Sequence, residues 1–234
     1  IEWIESQPQE SPADVEPGGE WSRNAVIYNT LVRAATGYDH DGDGHVALQP
    51  VGRGWMETGT FLKTIAQLPL IKVMGFNTIH VLPITAIGED GHKGTLGSVY
   101  AIRNPYRLDS RLSEPILDLA PEQQLAAFIE AAHHLGLRVV VEFVFRTASK
   151  DADWVGKHPN WFYWIKADVP NRRAGEEDAE AYGAPIFTQD ELLQIEGRVG
   201  RGAFDDLIPP SATFREMFTA PPEPELVEMV DGRW

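Results

Sequence analysis

The segment Phe76-Asn77-Thr78-Ile79-His80-Val81-Leu82-Pro83-Ile84 follows a helix-like run that ends at Gly75, and few folds can accommodate it. Its apolar and β-branched content (Thr78, Ile79, Val81, Ile84) predicts a parallel strand covered on both faces, with Pro83 where the chain leaves the sheet. Leu137 to Phe145 repeats the pattern after a second helix-like run closed by Gly136. Ala25 to Val32, with Val26, Ile27 and Tyr28, reads as a strand beside these two. Successive βα units predict an α/β protein with parallel strands, and in such folds the site lies beyond the carboxyl ends of the strands.

The helical segments carry their own punctuation. Thr58-Gly59-Thr60 opens a run through Phe61, Leu62, Ile65, Leu68 and Ile71, and Pro69 within it predicts a kink or an early break. Pro121-Glu122-Gln123-Gln124 opens the other, with proline in the first turn and an acid near the positive end of the dipole. Leu125, Phe128, Ile129, Ala132 and Leu135 form its core-facing stripe, and His133 and His134 near its end complement the dipole as surface residues.

Composition narrows the partners. Twenty basic against thirty-five acidic residues give a formal charge of -15 over 234 residues, which disfavours nucleic acid and anionic membrane surfaces. There is no cysteine, hence no disulfide framework or thiolate metal site, and compartment stays open. No apolar run approaches the ~18 residues of a membrane span. The start Ile1-Glu2-Trp3-Ile4-Glu5 has neither an initiator methionine nor a signal-peptide pattern, as a processed, excised or truncated product would.

Three regions follow in order. Residues 1–20 are an acidic, Pro/Gly-rich lead-in, residues 21–146 hold the βα units, and residues 147–234 form a loop-rich excursion with a helix-like stretch at Gln189 to Leu193. Within the second region, Asp39-His40-Asp41-Gly42-Asp43-Gly44 places carboxylates at alternate positions with glycines for a sharp turn. Asp39, Asp41 and Asp43 fit the first, third and fifth ligand positions of a loop that wraps a hard cation such as calcium. Pro50 stands where an EF-hand has its bidentate Glu, so this is not an EF-hand, and a solvated acidic turn is the plain alternative. Thr85 to Ser98 is a glycine-rich strand-exit loop without a phosphate-loop pattern. In the strand-exit loop that follows, Tyr100, Asn104 and Tyr106 suit a surface that stacks on sugar rings and hydrogen-bonds hydroxyls, or tyrosines that pack the loop down.

Taken together, Tyr28, the DxDxDG loop, Met74-Gly75-Phe76-Asn77, Val81-Leu82-Pro83-Ile84, Gly97-Ser98-Val99-Tyr100 and Asn104-Pro105-Tyr106 resemble the opening third of the alpha-amylase family, glycoside hydrolase family 13. His134-Leu135-Gly136-Leu137 continues the match, which covers about residues 21 to 165. The resemblance implies a partial (β/α)8 TIM barrel of three βα units, followed by an insert like the family's irregular domain B. It places Tyr100 at the sugar-stacking tyrosine and likens Asp39, Asp41 and Asp43 to the calcium loop of the oligoglucosidase-like members. Arg146 and Trp161 join Tyr100, Asn104 and Tyr106 as substrate-binding candidates. Where the family ends its third strand with Asp, three residues, then Asn-His, this chain has Glu142 and then Arg146-Thr147, the mark of a divergent branch. His158-Pro159-Asn160-Trp161-Phe162 is similar to a stretch of the maltosyl-transferring branch.

The family's nucleophile, acid/base and transition-state carboxylates come from later strands, so no catalytic residue is expected in this chain, and Glu142 is expected to be a structural carboxylate of the barrel mouth. The expected function is the N-terminal portion of an alpha-glucan-active hydrolase or transglycosidase with a retaining mechanism. Its ligand would be an alpha-glucan or maltooligosaccharide, and the rest of the barrel would come from the same parent chain. The alternative is a non-catalytic carbohydrate-binding or regulatory protein that uses Tyr100, Trp161 and Trp164 as platforms. A nucleotide enzyme is disfavoured because no glycine-rich phosphate turn follows the strands. Half a barrel leaves an unpaired strand edge, which predicts marginal stability or self-association.

Overall fold

The computed structural model describes residues 19–230 except 173, 174, 176 and 177. Most of the acidic lead-in, and Arg173, Glu176 and Glu177 of the polar stretch, therefore lie outside the described residues. The chain divides into two compact units, with the division between Asp153 and Trp154, a few residues beyond the change of pattern expected at 147.

The first unit runs β1 (Ile27–Thr30), α1 (Val32–Ala35), α2 (Phe61–Val73), β2 (Thr78–Val81), β3 (Thr85–Ile87), β4 (Ile102–Leu108), α3 (Pro121–His134) and β5 (Arg138–Val141). β1, β2 and β5 form a parallel sheet in that order. The result is an open, alternating β/α arrangement, a partial TIM-barrel-like fold. One register row holds Tyr28, Ile79 and Val139, and the next holds Asn29, His80 and Val140. Because side chains alternate between faces, these two rows face opposite ways.

The first row belongs to the core. Ile79, Val81, Phe61, Leu68, Phe128, Ala132 and Leu137 are buried together, with Tyr28, Val139 and Val141 packed against them. Phe61 of α2 and Phe128 of α3 lie 6.4 Å apart in a stacked pair. Burying each ring contributes roughly 2–3 kcal/mol as an upper estimate. On the opposite face Thr78 of β2 is fully buried and His80 half-buried, while Ile27 of edge strand β1 is 53% exposed, so the cover on both faces expected of the 76–84 strand holds at the start of β2 and does not extend to β1.

The helix signals work as read except at Pro69 and at His134, expected at the surface, whose Nε2 is buried with no hydrogen-bond partner among the described residues. The Thr60 hydroxyl accepts from the Lys63 N–H at the start of α2, and Gly75 ends it with φ at 89°. Gln123 Oε1 accepts the Ala120 N–H at 2.9 Å ahead of α3, and Gly136 closes that helix with φ at 69°. Pro69 does not break α2, which continues to Val73. Proline removes one ladder bond, but Leu68 and Ile71 on either side are buried, and packing holds the turn.

The strands are shorter than the runs that predicted them. Leu31 already serves as the N-cap of α1, β2 stops before Pro83, and Phe145, beyond the end of β5, is 93% exposed. The two strand-exit loops expected over 85–98 and 98–109 are in part an antiparallel ribbon, β3 with β4, pairing Ile87 with Ile102 and Thr85 with Leu108. Ile87 and Ile102 are both buried, and a two-stranded ribbon tolerates Pro105 because each strand has a free edge.

The second unit adds β6 (Trp164–Ile165), α4 (Gln189–Val199), α5 (Ala212–Glu216) and β7 (Phe218–Thr219), with β6 and β7 antiparallel. Its aromatic side chains gather on Phe218, whose ring meets Phe214 at 5.3 Å and Tyr163 and Tyr182 at 6.0 Å, all edge-on. α4 begins with a reciprocal capping box between Thr188 and Glu191, a signal present in the sequence but not read there. Among the described residues no helix is long and apolar enough to cross a membrane.

Candidate functional site

Polar side chains meet toward the carboxyl end of the parallel sheet. The register that pairs Asn29 with His80 sets their side chains side by side, and Asn29 Nδ2 lies 2.6 Å from His80 Nδ1. With the amide nitrogen donating, Nδ1 accepts and the proton of a neutral imidazole sits on Nε2. Nε2 faces Glu142, whose Oε2 is 3.8 Å away just past the end of β5. Glu142 is also fixed through its backbone, its N–H donating to the Val81 carbonyl at 2.9 Å.

Tyr100 completes the group. Desolvation and hydrogen bonding to Glu142 raise its phenol above the ordinary value. Its segment is held at several points. The Tyr100 N–H donates to Ser98 Oγ at 3.2 Å, and Thr147 Oγ1 donates to the Tyr100 carbonyl at 2.9 Å. Buried Arg33 donates to the carbonyls of Leu96 and Gly97, and its burial lowers its pKa while the charge of Asp109 opposes that shift. Gly97 has φ at 67°, and a Cβ there would meet the His92 ring at 2.8 Å, so the segment requires glycine.

The other expected substrate-binding residues do not gather at this point. Asn104 is occupied within the ribbon, Nδ2 donating to Asp153 at 2.8 Å and Oδ1 accepting the Tyr106 N–H at 2.9 Å. Tyr106 is 84% exposed on β4, and Arg146 is exposed beyond β5. Trp161 belongs to the second unit, where it is 60% exposed. His158 stacks on it at 4.0 Å and 11°, and Trp154 backs it edge-on at 5.6 Å. Sequence reasoning missed Asn29 and His80. Their signal was a pair of polar residues at equivalent places in two successive strands.

The acidic loop forms a second cluster. Asp39, Asp41 and Asp43 each bring one carboxylate oxygen within 4.8 Å of the others, a set capable of coordinating a divalent cation. Gly42 and Gly44, with φ at 76° and 85°, donate to the two oxygens of Asp39 at 2.6 and 2.9 Å. These contacts, Gly44 foremost, lower the pKa of Asp39. Beneath the loop lies Glu57, with no solvent exposure, accepting from His40 and Asp41 at Oε1 and from Ala47 at Oε2. No local pattern marked Glu57, which is fourteen or more residues from the acids it supports.

No family model matches the chain. It is 32% identical over 150 residues to the alpha-1,4-glucan:maltose-1-phosphate maltosyltransferase of Mycolicibacterium smegmatis, covering 60% of this chain and 19% of that protein. The protein of the same description from Cereibacter sphaeroides is 31% identical over 116 residues, 45% of this chain and 19% of that one. The chain thus spans about a fifth of the length of these curated relatives. Among solved structures, an alpha-amylase from Lactobacillus plantarum is 26% identical with a TM-score of 0.46, over 79% of this chain and 37% of that one. A maltogenic alpha-amylase from Thermotoga neapolitana is 26% identical with a TM-score of 0.47, over 80% and 40%. Through relatives that match part of its length, the chain is linked by similarity to the alpha-amylase superfamily, glycoside hydrolase family 13.

Proposed function

We propose that this chain supplies part of the glucan-binding surface of an alpha-glucan-active glycoside hydrolase or transglycosidase. The supporting observation is the meeting of Tyr100 with Glu142 and His80 beyond the parallel strands, where a barrel enzyme receives its substrate. Tyr100 offers a ring face for a pyranose, and Glu142 and His80 offer an acceptor and a donor for its hydroxyls. Retaining hydrolysis needs two carboxyl groups ~5–5.5 Å apart, and Glu142 faces an imidazole and a phenol instead. Glu142 therefore orients sugar, and the nucleophile and acid/base belong to later strands of the parent chain. Asn104, Tyr106 and Arg146 are further glucan contacts of the first unit, and Trp161 is a stacking platform of the second. Asp39, Asp41 and Asp43 hold calcium, which braces the loop after β1.

Titration with maltohexaose, followed by tryptophan fluorescence and by NMR of the 234-residue chain, tests the binding reading. Saturation that weakens in Tyr100→Ala supports it, and an unchanged spectrum at millimolar sugar overturns it. Assay of the protein encoded by the longer reading frame tests the enzyme reading. Turnover of maltooligosaccharides supports it. Binding without turnover favours the non-catalytic alternative, which the Glu142 and Arg146-Thr147 departure from the family pattern also suits.

A further inference from the structure

The face of the parallel sheet turned away from the Ile79 row carries a line of polar side chains. Asn29 of β1 is exposed, His80 of β2 is half-buried, and Glu142 follows β5. Asn29 Nδ2 lies 2.6 Å from His80 Nδ1, and on the other side of the ring Glu142 Oε2 lies 3.8 Å from Nε2. The second distance is too long for a hydrogen bond and short enough for one oxygen to bridge both groups. The His80 and Glu142 side chains are each 27% exposed, so that oxygen can come from solvent or from a ligand. It must accept from Nε2–H and donate to the carboxylate, which a hydroxyl does and an ether or a carbonyl does not.

The geometry points to Asn29 as a positioning residue: by donating to Nδ1 it keeps the imidazole proton on Nε2, and it ties hydroxyl binding here to a neutral His80. This rests on the glucan-binding reading and adds a control to that site. Protonation puts an N–H on Nδ1 against the Asn29 amide N–H, so the amide must turn to offer its oxygen. The same proton gives His80 a charge facing Glu142, and the resulting ion pair closes the gap the hydroxyl fills. Tyr100 already hydrogen-bonds Glu142, so a paired carboxylate has little left for sugar. Of the other charged groups, Arg138, in register with Thr78 toward the amino end of this face, lies over the Trp21 ring at 5.2 Å, and Arg146 is exposed beyond β5. Both cations disfavour a charged imidazole, which leaves Glu142 as the group that draws the proton.

The test is long-range proton–nitrogen NMR of the histidine-labelled 234-residue chain across pH, with His80→Gln assigning the signals, beside maltohexaose titration under the same conditions. The expected result is the Nε2–H form of neutral His80, a mixture of both tautomers in Asn29→Ala, and an imidazolium that persists to higher pH in Asn29→Asp, whose carboxylate accepts from Nδ1–H. Maltohexaose affinity should fall about tenfold between about pH 8 and pH 5.5, where histidine gains its proton, and in His80→Gln it should be weaker and flat in pH. A merely structural Asn29 would move Tm without moving the tautomer. An Nδ1–H tautomer in the unaltered chain, a His80 titration untouched by both Asn29 variants, or glucan binding equal at the two pH values overturns the proposal. Absence of binding at every pH defeats the glucan-binding reading instead, and the tautomer spectra then decide the role of Asn29 alone. Because Asn29 is exposed its removal leaves the core closed, which circular dichroism of both variants checks.

Discussion

Glu57 Oε1 accepts the backbone N–H of His40 at 2.7 Å from a side chain without solvent exposure, so a buried carboxylate organises the loop that carries the three aspartates. In Glu57→Gln the amide nitrogen faces one of the N–H donors it replaced an acceptor for. The expected outcome is a lower Tm and a cation affinity reduced about tenfold, read by calorimetry with calcium.

Acid should loosen the same loop. Glu57 is held below its ordinary 4.5, chiefly by the Ala47 N–H, and Asp39 below its ordinary 3.8, chiefly by the Gly44 N–H. A depressed folded pKa contributes stability that is fully present above the unfolded value and lost as pH falls through the folded one. Tm should therefore be flat from pH 7 to about 5 and fall below pH 4, with a shallower fall in Glu57→Gln.

Glu114 ties three segments together without solvent exposure. It accepts from Thr60 Oγ1 at 2.9 Å and Met56 N–H at 3.0 Å, with Lys63 Nζ 3.8 Å away. Burial lowers the Lys63 pKa and Glu114 opposes that shift. Glu114→Ala leaves the Thr60 hydroxyl and the Met56 N–H without their buried acceptor and takes a counter-charge from Lys63, whose Nζ keeps the Met56 and Thr58 carbonyls, and should cost about 3 kcal/mol in urea unfolding.

Tyr100 can act through its ring or its hydroxyl. If the ring stacks on sugar, Tyr100→Ala should weaken maltohexaose binding about tenfold while Tyr100→Phe stays within about threefold. Arg33→Ala, which frees the carbonyls of Leu96 and Gly97, should weaken binding similarly and also destabilise the fold by about 2 kcal/mol. Loss of stability separates the positioning residue from the contacting one.

The edge of β5 and exposed Phe143 and Phe145 beyond it offer a surface for self-association. Sedimentation should show mass rising with concentration, and Phe145→Asp should reduce it. A monomer at all concentrations counts against this.

The parallel strands, the two long helices and their glycine stops were legible because each rests on short-range chemistry. Residues such as Ile79, Phe128 and Gly136 announce burial or a left-handed turn wherever they occur. The aspartate loop was legible for the same reason, its three carboxylates being alternate residues of one turn. The ribbon of β3 and β4 was not, because its pairing joins Ile87 to Ile102 across a glycine-rich loop that has no hairpin signature.

The sequence by itself determined the βα order, the apolar faces, the candidate metal loop and the resemblance carried by Gly97 to Tyr100. Only the tertiary structure decided that His80 lies between Asn29 and Glu142 and that Glu57 underlies the aspartates. The reason is physical. Periodicity reports which face of an element turns from water, whereas a polar contact between distant residues depends on strand register and loop closure, which local composition does not encode.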